Sequence, residues 1–187
     1  LLDVGQYPGS SNASLFFHGL NAPSTPSCCF WGRAQGWAMM SAVEVLETMD
    51  AVAPSHPLRA PLLEAFQRHA HGMLATQSSD GRWHQVVNDT STYLETSVSA
   101  MTTWALLHAA RSGYLPSTVR ENAARAWTAV ASQIMPNGTV NGICIGTGIQ
   151  QNVQQYQQRP TPWVFSQPGL GAVFLAAIAT AQDTDST

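Results

Sequence analysis

Trp31 and Trp37 stand six residues apart with Arg33 between them, in the segment Trp31-Gly32-Arg33-Ala34-Gln35-Gly36-Trp37. The segment runs into a stretch of helical periodicity, so two indole faces and one cation are set around a helix start. Indole rings stack on the apolar faces of sugar rings, and a guanidinium beside free backbone N–H groups holds a carboxylate. The chemistry this combination suits is recognition of a sugar acid. The alternative is that the tryptophans are core and Arg33 a solvated surface cation, because buried aromatics are commoner than ligand platforms. A second polar segment, Asp80-Gly81-Arg82-Trp83-His84-Gln85-Val86, sits on an Asp-Gly turn between two helical stretches. Trp83 there is either a plug or part of a subsite. His84 and Gln85 are the better ligand candidates, since their polar tips need partners if buried. Glu95 lies in the first turn of a helix, where a carboxylate complements the dipole or supplies an acid. Asp89 is the other acid close to these loops. A glycosidase with two carboxylates needs paired acids across a cleft, and of Glu44, Glu47, Glu64, Asp80, Asp89 and Glu95 only the last three are near the loops, which disfavours that mechanism. A serine or cysteine nucleophile is disfavoured too: no G-x-S-x-G occurs, and Cys28-Cys29 has no His and acid companions in sequence.

The elements that must position these residues are helices. Apolar residues recur at three- and four-residue spacing through Trp37, Met40, Val43 or Leu46, and Met49, predicting a helix over 36–50. The same periodicity predicts helices over 57–77, with Pro61 in the first turn, over 94–112, over 116–134 and over 169–182. The last is apolar nearly all round and is expected to be buried. Val86-Val87 and 140–145 are the only strand candidates, and both are short. The expected fold class is all-α, a single unit over 1–187 with a loop-rich segment at 1–35. Short connections alternate with long polar ones at 1–35, 78–92 and 136–168, which puts tight turns at one end of an antiparallel array and elaborated loops at the other. Five helices in antiparallel pairs make about half of a closed toroid, and half a toroid leaves an apolar flank to be covered by a second copy or a missing N-terminal half.

Only 10% of the 187 residues are charged, against roughly a quarter in an average soluble protein, and the net charge is −3. No basic stripe is present to neutralise phosphates, so nucleic acid is not an expected partner. Three N-x-S/T sequons, at Asn12, Asn88 and Asn137, fall in predicted loops and favour secretion from a eukaryote. The chain opens on Leu1 without an apolar leader, so a signal peptide is expected to have been removed or to lie upstream; no run is long enough to span a membrane. Cys28, Cys29 and Cys144 have no CxxC spacing, which argues against zinc; no metal and no cofactor are expected. A bond from Cys28 or Cys29 to Cys144 is open to an oxidised chain.

Taken in order, His18-Gly19-Leu20-Asn21, the Trp31 to Trp37 segment, the Asp80 to Val86 segment, Tyr93-Leu94-Glu95-Thr96-Ser97 with Ala100-Met101, and Asn141-Gly142-Ile143-Cys144-Ile145-Gly146-Thr147-Gly148 resemble the unsaturated rhamnogalacturonyl and glucuronyl hydrolases of glycoside hydrolase families 105 and 88. Those proteins carry H-G-x-D, W-x-R-x-x-G-W, D-G-x-W-x-Q, Y-x-E-[ST]-S and G-[VI]-x-x-G-T-G segments in the same order. The resemblance runs from about His18 to Ala177 and implies the C-terminal part of a six-hairpin (α/α) barrel. It implies an acidic oligosaccharide as partner, with His18, Trp31, Arg33, Trp37, His84 and Gln85 as substrate-binding residues. It also implies a hydration: an Asp protonates the C4=C5 bond of an unsaturated uronic acid and helps water attack C5, after which the glycosidic bond breaks. The Asp residues of that chemistry precede the H-G-x-D segment, whereas the only acidic residue before Asn21 here is Asp3. Two more departures are Asn21 in place of an Asp, and Phe165-Ser166-Gln167-Pro168-Gly169-Leu170-Gly171, which lacks the His of an N-D-P-H-G-x-G turn. Glu95 and Asp89 are therefore the only acid candidates near the site, and the chain is expected either to be catalytically incomplete or to be a sugar- or small-molecule-binding half-barrel.

Overall fold

The computed structural model describes residues 14–22, 25–162 and 169–185. The sequon at Asn12, Asp3 and the 165–168 part of the last loop lie outside the described residues. The elements are β1 (Leu20–Ala22), β2 (Thr25–Pro26), α1 (Gly32–Val52), α2 (Arg59–Ala75), β3 (Trp83–His84), β4 (Leu94–Glu95), α3 (Thr96–Arg111), α4 (Val119–Ala131), α5 (Val153–Gln157) and α6 (Leu170–Thr184). The fold is all-α, as the periodicity implies. Each of the five long helices falls where the apolar spacing puts it, and the short α5 is an element the spacing does not predict. Val86 and Val140 enter only single bridges, to Trp31 and Ile134, and the paired strands elsewhere are two or three residues long.

The boundaries differ from expectation for local reasons. Helix α1 begins at Gly32, four residues early, because the Gly32 N–H already has a partner in Gln85 O at 2.8 Å. Helix α3 begins at Thr96 and not at 94, because Leu94 and Glu95 are paired with His84 and Trp83. Glu95 is consequently the N-cap of α3 and not a first-turn residue; its carboxylate accepts from the Val98 N–H.

Helix α3 is the centre of the molecule, packing against α1, α4 and α6, while α2 covers α1. Apart from Trp104 its inner stretch is made of small and medium side chains, and every residue from Thr96 to Leu107 is buried. Its approach to α1 is close: a Cβ on Gly36 would lie 2.6 Å from the sulfur and 2.8 Å from the Cβ of Met101. The Met101 Cβ cannot swing aside, so a side chain at position 36 would push the two helices apart.

The connections at 53–58 and 112–118 are short and share one end, where Arg59 and the Tyr114 hydroxyl both bond the Asp50 carboxylate. These bonds hold the Asp50 pKa down at about 2, Arg59 being the larger cause and Tyr114 the next. The long connections gather at the other end, with the N-termini of α1, α3 and α6. Helix α6 departs from expectation. Ala172, Val173, Ala176 and Ala179 are buried, but Phe174, Leu175 and Ile178 are exposed, Phe174 by 62%. The helix is apolar on every side, yet only its small-residue face meets α3 and α4; nothing among the described residues covers the other. No helix among the described residues is long and apolar enough to cross a membrane.

The strand-poor segment at 14–18 is tied to this frame by one buried network. Gln35 Oε1 accepts from the Phe16 N–H at 3.0 Å and from His69 Nε2 at 3.0 Å, with all of Gln35 and His69 inaccessible or nearly so. Burial pushes the His69 pKa down from 6.5 to about 3. In the folded chain His69 therefore stays neutral where the unfolded chain has already taken up a proton, so the unfolded state binds more protons between about pH 3 and 6.5. Stability is full above that window and falls as pH falls through it, by up to about 1.4 kcal/mol per pH unit. Urea unfolding at pH 7, 5 and 4 should show this slope in the native chain and a slope shallower by up to that amount in His69→Gln; parallel slopes would remove His69 as the cause.

Candidate functional site

Three helix N-termini converge on one ion pair. Arg33, the second residue of α1, and Glu95, the cap of α3, are 3% and 0% exposed, with Arg33 Nη1 3.7 Å from Glu95 Oε1. Arg33 Nη1 also donates to Ser97 Oγ at 3.1 Å, and Ser97 Oγ in turn donates to the Glu95 carboxylate at 2.8 Å. The other Glu95 contacts are the backbone N–H groups of Val98 and Cys144, each at 2.8 Å. Arg33 Nη2 donates to the carbonyls of Cys144 and Ile145, each at 2.7 Å. The loop at 141–147 is thus gripped from both sides, and the Thr96 N–H and hydroxyl add bonds to the carbonyls of Gly142 and Asn141. Gly169, which leads into α6 at φ 106°, completes the cluster: a Cβ there would fall 2.5 Å from Ser97 Cβ and 3.4 Å from Arg33 Nη1. Only glycine meets both the left-handed backbone and the close approach.

Beside this pair lies an aromatic cluster. The half-buried His18 ring sits 4.4 Å from the Trp31 ring, and its Nδ1 is 2.6 Å from the Tyr156 hydroxyl. Burial lowers the His18 pKa and, first among its causes, raises that of Tyr156. Arg33 Cζ stands 5.1 Å from the centre of the Trp31 ring, a cation–π distance. Trp31 is buried, and its indole Nε1–H has no hydrogen-bond partner among the described residues. Gln85 is fully buried; its Nε2 lies 3.1 Å from Cys144 Sγ, and its Oε1 also lacks a partner. Tyr93 closes this side, its hydroxyl donating to Arg159 O, with burial first and Cys144 next raising its pKa.

His18, Trp31, Arg33 and Gln85 are therefore brought together around Glu95 and Cys144. Trp37 is not part of that cluster: it is 53% exposed, one and a half turns along α1. His84 faces elsewhere too, into a polar groove of about 450 Å³ lined also by Thr76, Gln77, Ser79 and Asn88, with its Nδ1 bonded to Thr92 O. Trp83 is a core plug, inaccessible, with its Nε1–H donating to Met73 O at 2.7 Å. Asp89 accepts from the Ser91 N–H and hydroxyl within its own turn. Ser97, Cys144 and Tyr156 carry much of the geometry without having been candidates. Ser97 was within reach of the Tyr93 to Ser97 motif, whereas Tyr156 gave no signal in a Gln-rich stretch.

The cysteines correct one expectation. Cys28 and Cys29 are bonded to each other, and Cys144 is a free, buried thiol. Cys144 is held on the Arg33–Glu95 side by its own backbone bonds, which leaves the adjacent pair to join. Among the described residues no three His, Cys, Asp or Glu side chains converge as metal ligands would.

The two candidate acids should respond to neutralisation by losses of very different size. Glu95→Gln leaves Arg33 buried beside a neutral amide and should cost about 3–5 kcal/mol of stability. Asp89→Asn keeps its turn and should cost under about 1 kcal/mol. Urea unfolding of both variants measures the difference, and a Glu95→Gln loss no larger than that of Asp89→Asn would show that the pair does not hold the site.

Comparison with known proteins bears on the family and the fold. The family model described as Glycosyl Hydrolase Family 88 matches residues 10–182. An unsaturated rhamnogalacturonyl hydrolase of Bacillus subtilis is 27% identical over 179 residues, which is 94% of this chain and 48% of that one. A family 105 glycoside hydrolase structure from C. acetobutylicum superposes with a TM-score of 0.76 at 28% identity, covering 88% of this chain and 49% of that one. A family 88 hydrolase from Bacteroides vulgatus does so at 0.70, with 21% identity, over 91% and 47%. The chain thus spans about half the length of these relatives, and its helical hairpins form about half of their six-hairpin (α/α) barrel. With the matched region reaching from before His18 into the last turn of α6, the chain belongs to glycosyl hydrolase family 88.

Proposed function

We propose that this chain is the sugar-binding half of a secreted hydrolase of unsaturated uronyl oligosaccharides, and that it is catalytically incomplete alone. The observation that carries the reading is the convergence of His18, Trp31, Arg33 and Gln85 on the Arg33–Glu95 pair, in a chain of this family. In the proposed reaction a proton is added at C4 of the unsaturated uronide and water at C5; the resulting hemiketal opens, and the glycosidic bond breaks. The acid is supplied from outside this chain. Glu95 cannot serve easily, because both its oxygens are engaged by Ser97, Val98 and Cys144. Asp89 is committed to its own turn. The same engagement of both acids favours one alternative, a half-barrel that binds a sugar or another small molecule without turning it over.

The uncovered ridge of Phe174, Leu175 and Ile178 supports a partner for this half. The proposed partner is a complementary N-terminal set of hairpins, with a second copy of the chain as the other way to cover the ridge. The exposed Asn88 and Asn137, each followed by a sequon Thr, support passage through a secretory pathway. A mass loss on treating the eukaryote-expressed protein with an N-glycan-cleaving enzyme tests that part.

The chain and an unsaturated uronyl disaccharide decide the rest. Calorimetry should detect binding. Trp31→Phe, which removes the unpartnered N–H together with the pyrrole part of the ring, should weaken it by on the order of 1 kcal/mol, and Trp37→Ala by a similar amount if the exposed indole flanks the sugar. The ultraviolet absorbance of the C4=C5 bond should not decay with the chain alone. Decay would overturn the catalytic incompleteness, and no binding at all would overturn the sugar reading.

A further inference from the structure

The oxygen of Tyr156 has two neighbours, His18 Nδ1 at 2.6 Å and the backbone nitrogen of Gln150 at 3.2 Å. The Gln150 N–H can only donate, so it takes one lone pair of the phenolic oxygen. Tyr156 is wholly buried, and among the described residues the acceptor within reach of its own proton is His18 Nδ1. A ring nitrogen that accepts carries no hydrogen, so a neutral His18 must hold its hydrogen on Nε2. In the opposite arrangement Nδ1–H would donate to the phenol, and the phenolic proton would be left buried without an acceptor. That costs about 1–3 kcal/mol, enough to decide between tautomers.

The rest of the surroundings hold both partners in place. The His18 N–H donates to Cys29 O at 3.1 Å, within the bonded Cys28–Cys29 pair. Tyr156 rides on α5, which is capped by Asn152 and tied to the entrance of α3 by Gln157 Oε1, an acceptor for the Tyr93 N–H at 2.8 Å. Burial, which lowers the His18 pKa, acts in the same direction as the hydrogen bond.

We propose that Tyr156 is a positioning residue that holds His18 as the neutral Nε2–H tautomer, so that His18 meets a bound sugar as a hydrogen-bond donor and not as a cation. The tautomer stands on the geometry alone; the donor role rests on the sugar-binding reading of the site. The oxygen it suits is a hydroxyl or ring ether as well as a carboxylate.

Long-range proton–nitrogen correlation spectra of the intact, disulfide-bonded chain test the first half, with His18 assigned by its absence in His18→Gln. At a pH of about 7.5, above the ordinary histidine range, the native spectrum should show one tautomer, with Nε2 protonated and Nδ1 bare. In Tyr156→Phe the two nitrogen shifts should move toward each other as the tautomers mix, while the backbone amide spectrum outside this cluster stays put. A protonated Nδ1 in the native chain, or unchanged ring shifts in Tyr156→Phe, overturns the assignment. For the second half, His18→Gln keeps an uncharged N–H and should bind the unsaturated disaccharide more tightly than His18→Phe by about fivefold to tenfold, the scale of one neutral hydrogen bond. Equal losses in the two variants overturn the donor role. Absence of binding by the native chain removes that role together with the sugar reading and leaves the tautomer standing or falling on its own spectrum.

Discussion

Taking a guanidinium and a carboxylate out of water costs several kcal/mol for each ion, and their mutual attraction repays this only when the remaining donors and acceptors are also met. The Arg33–Glu95 pair meets that condition through the rest of the fold. Ser97 relays a hydrogen bond between the two, the N-terminus of α3 supplies the Val98 N–H, and the loop supplies the Cys144 N–H together with the Cys144 and Ile145 carbonyls. Without the pair, the loop would keep the Thr96 bonds to the Gly142 and Asn141 carbonyls but lose its charge-assisted ties to the helix ends. Without the loop, Arg33 would lose two carbonyl acceptors and Glu95 one N–H donor. Each explains the other.

The placement of Arg33 is not what helix stability alone would choose. A cation near a helix N-terminus opposes the helix dipole by about 0.3–1 kcal/mol, whereas Glu95 at the start of α3 is favoured by the same effect. The contacts made by Arg33 override this cost because they are charge-assisted and shielded from water. Its guanidinium also lies against Trp31, so the same charge that holds the loop polarises the aromatic cluster. The loop, the indole and His18 then form one block, in which a shift of α1 against α3 would be felt at once. The Gly36 approach to Met101 limits such a shift.

Helical periodicity made the five long helices legible, because α1 to α4 each bury one face at regular spacing and α3 buries nearly all of itself. The same reasoning failed on α6. An apolar helix is read as buried on the premise that its neighbours are in the same chain, and Phe174, Leu175 and Ile178 have none among the described residues. Within the site, Trp31, Arg33, Gln85 and His18 stood out by type, since each is unusual in a plain solvated loop. Their mutual distances did not, because they come from two loops and a helix start whose convergence is a tertiary fact. Glu95 was legible as a helix-start carboxylate, but the two-residue strand that makes it a cap is too short for any pattern to register. Tyr156 was invisible for a similar reason: α5 is five residues long, and its anchor is a hydrogen bond across 138 positions of sequence.

A last feature of this cluster is a pair of buried polar atoms without partners among the described residues. Buried polar atoms are almost always paired, because leaving one unmet costs about 1–3 kcal/mol. Trp83 obeys this rule through Met73 O, and Gln35 does so through Phe16 and His69. Trp31 Nε1 and Gln85 Oε1 do not. In the proposed sugar site they would be the donor and the acceptor left for a polyhydroxylated ligand. The charge inside such a site is already balanced by Glu95, so an acidic sugar would be gripped there by hydrogen bonds and ring contact before charge. Selection for the acid group would then fall to whatever the uncovered face of α6 brings alongside.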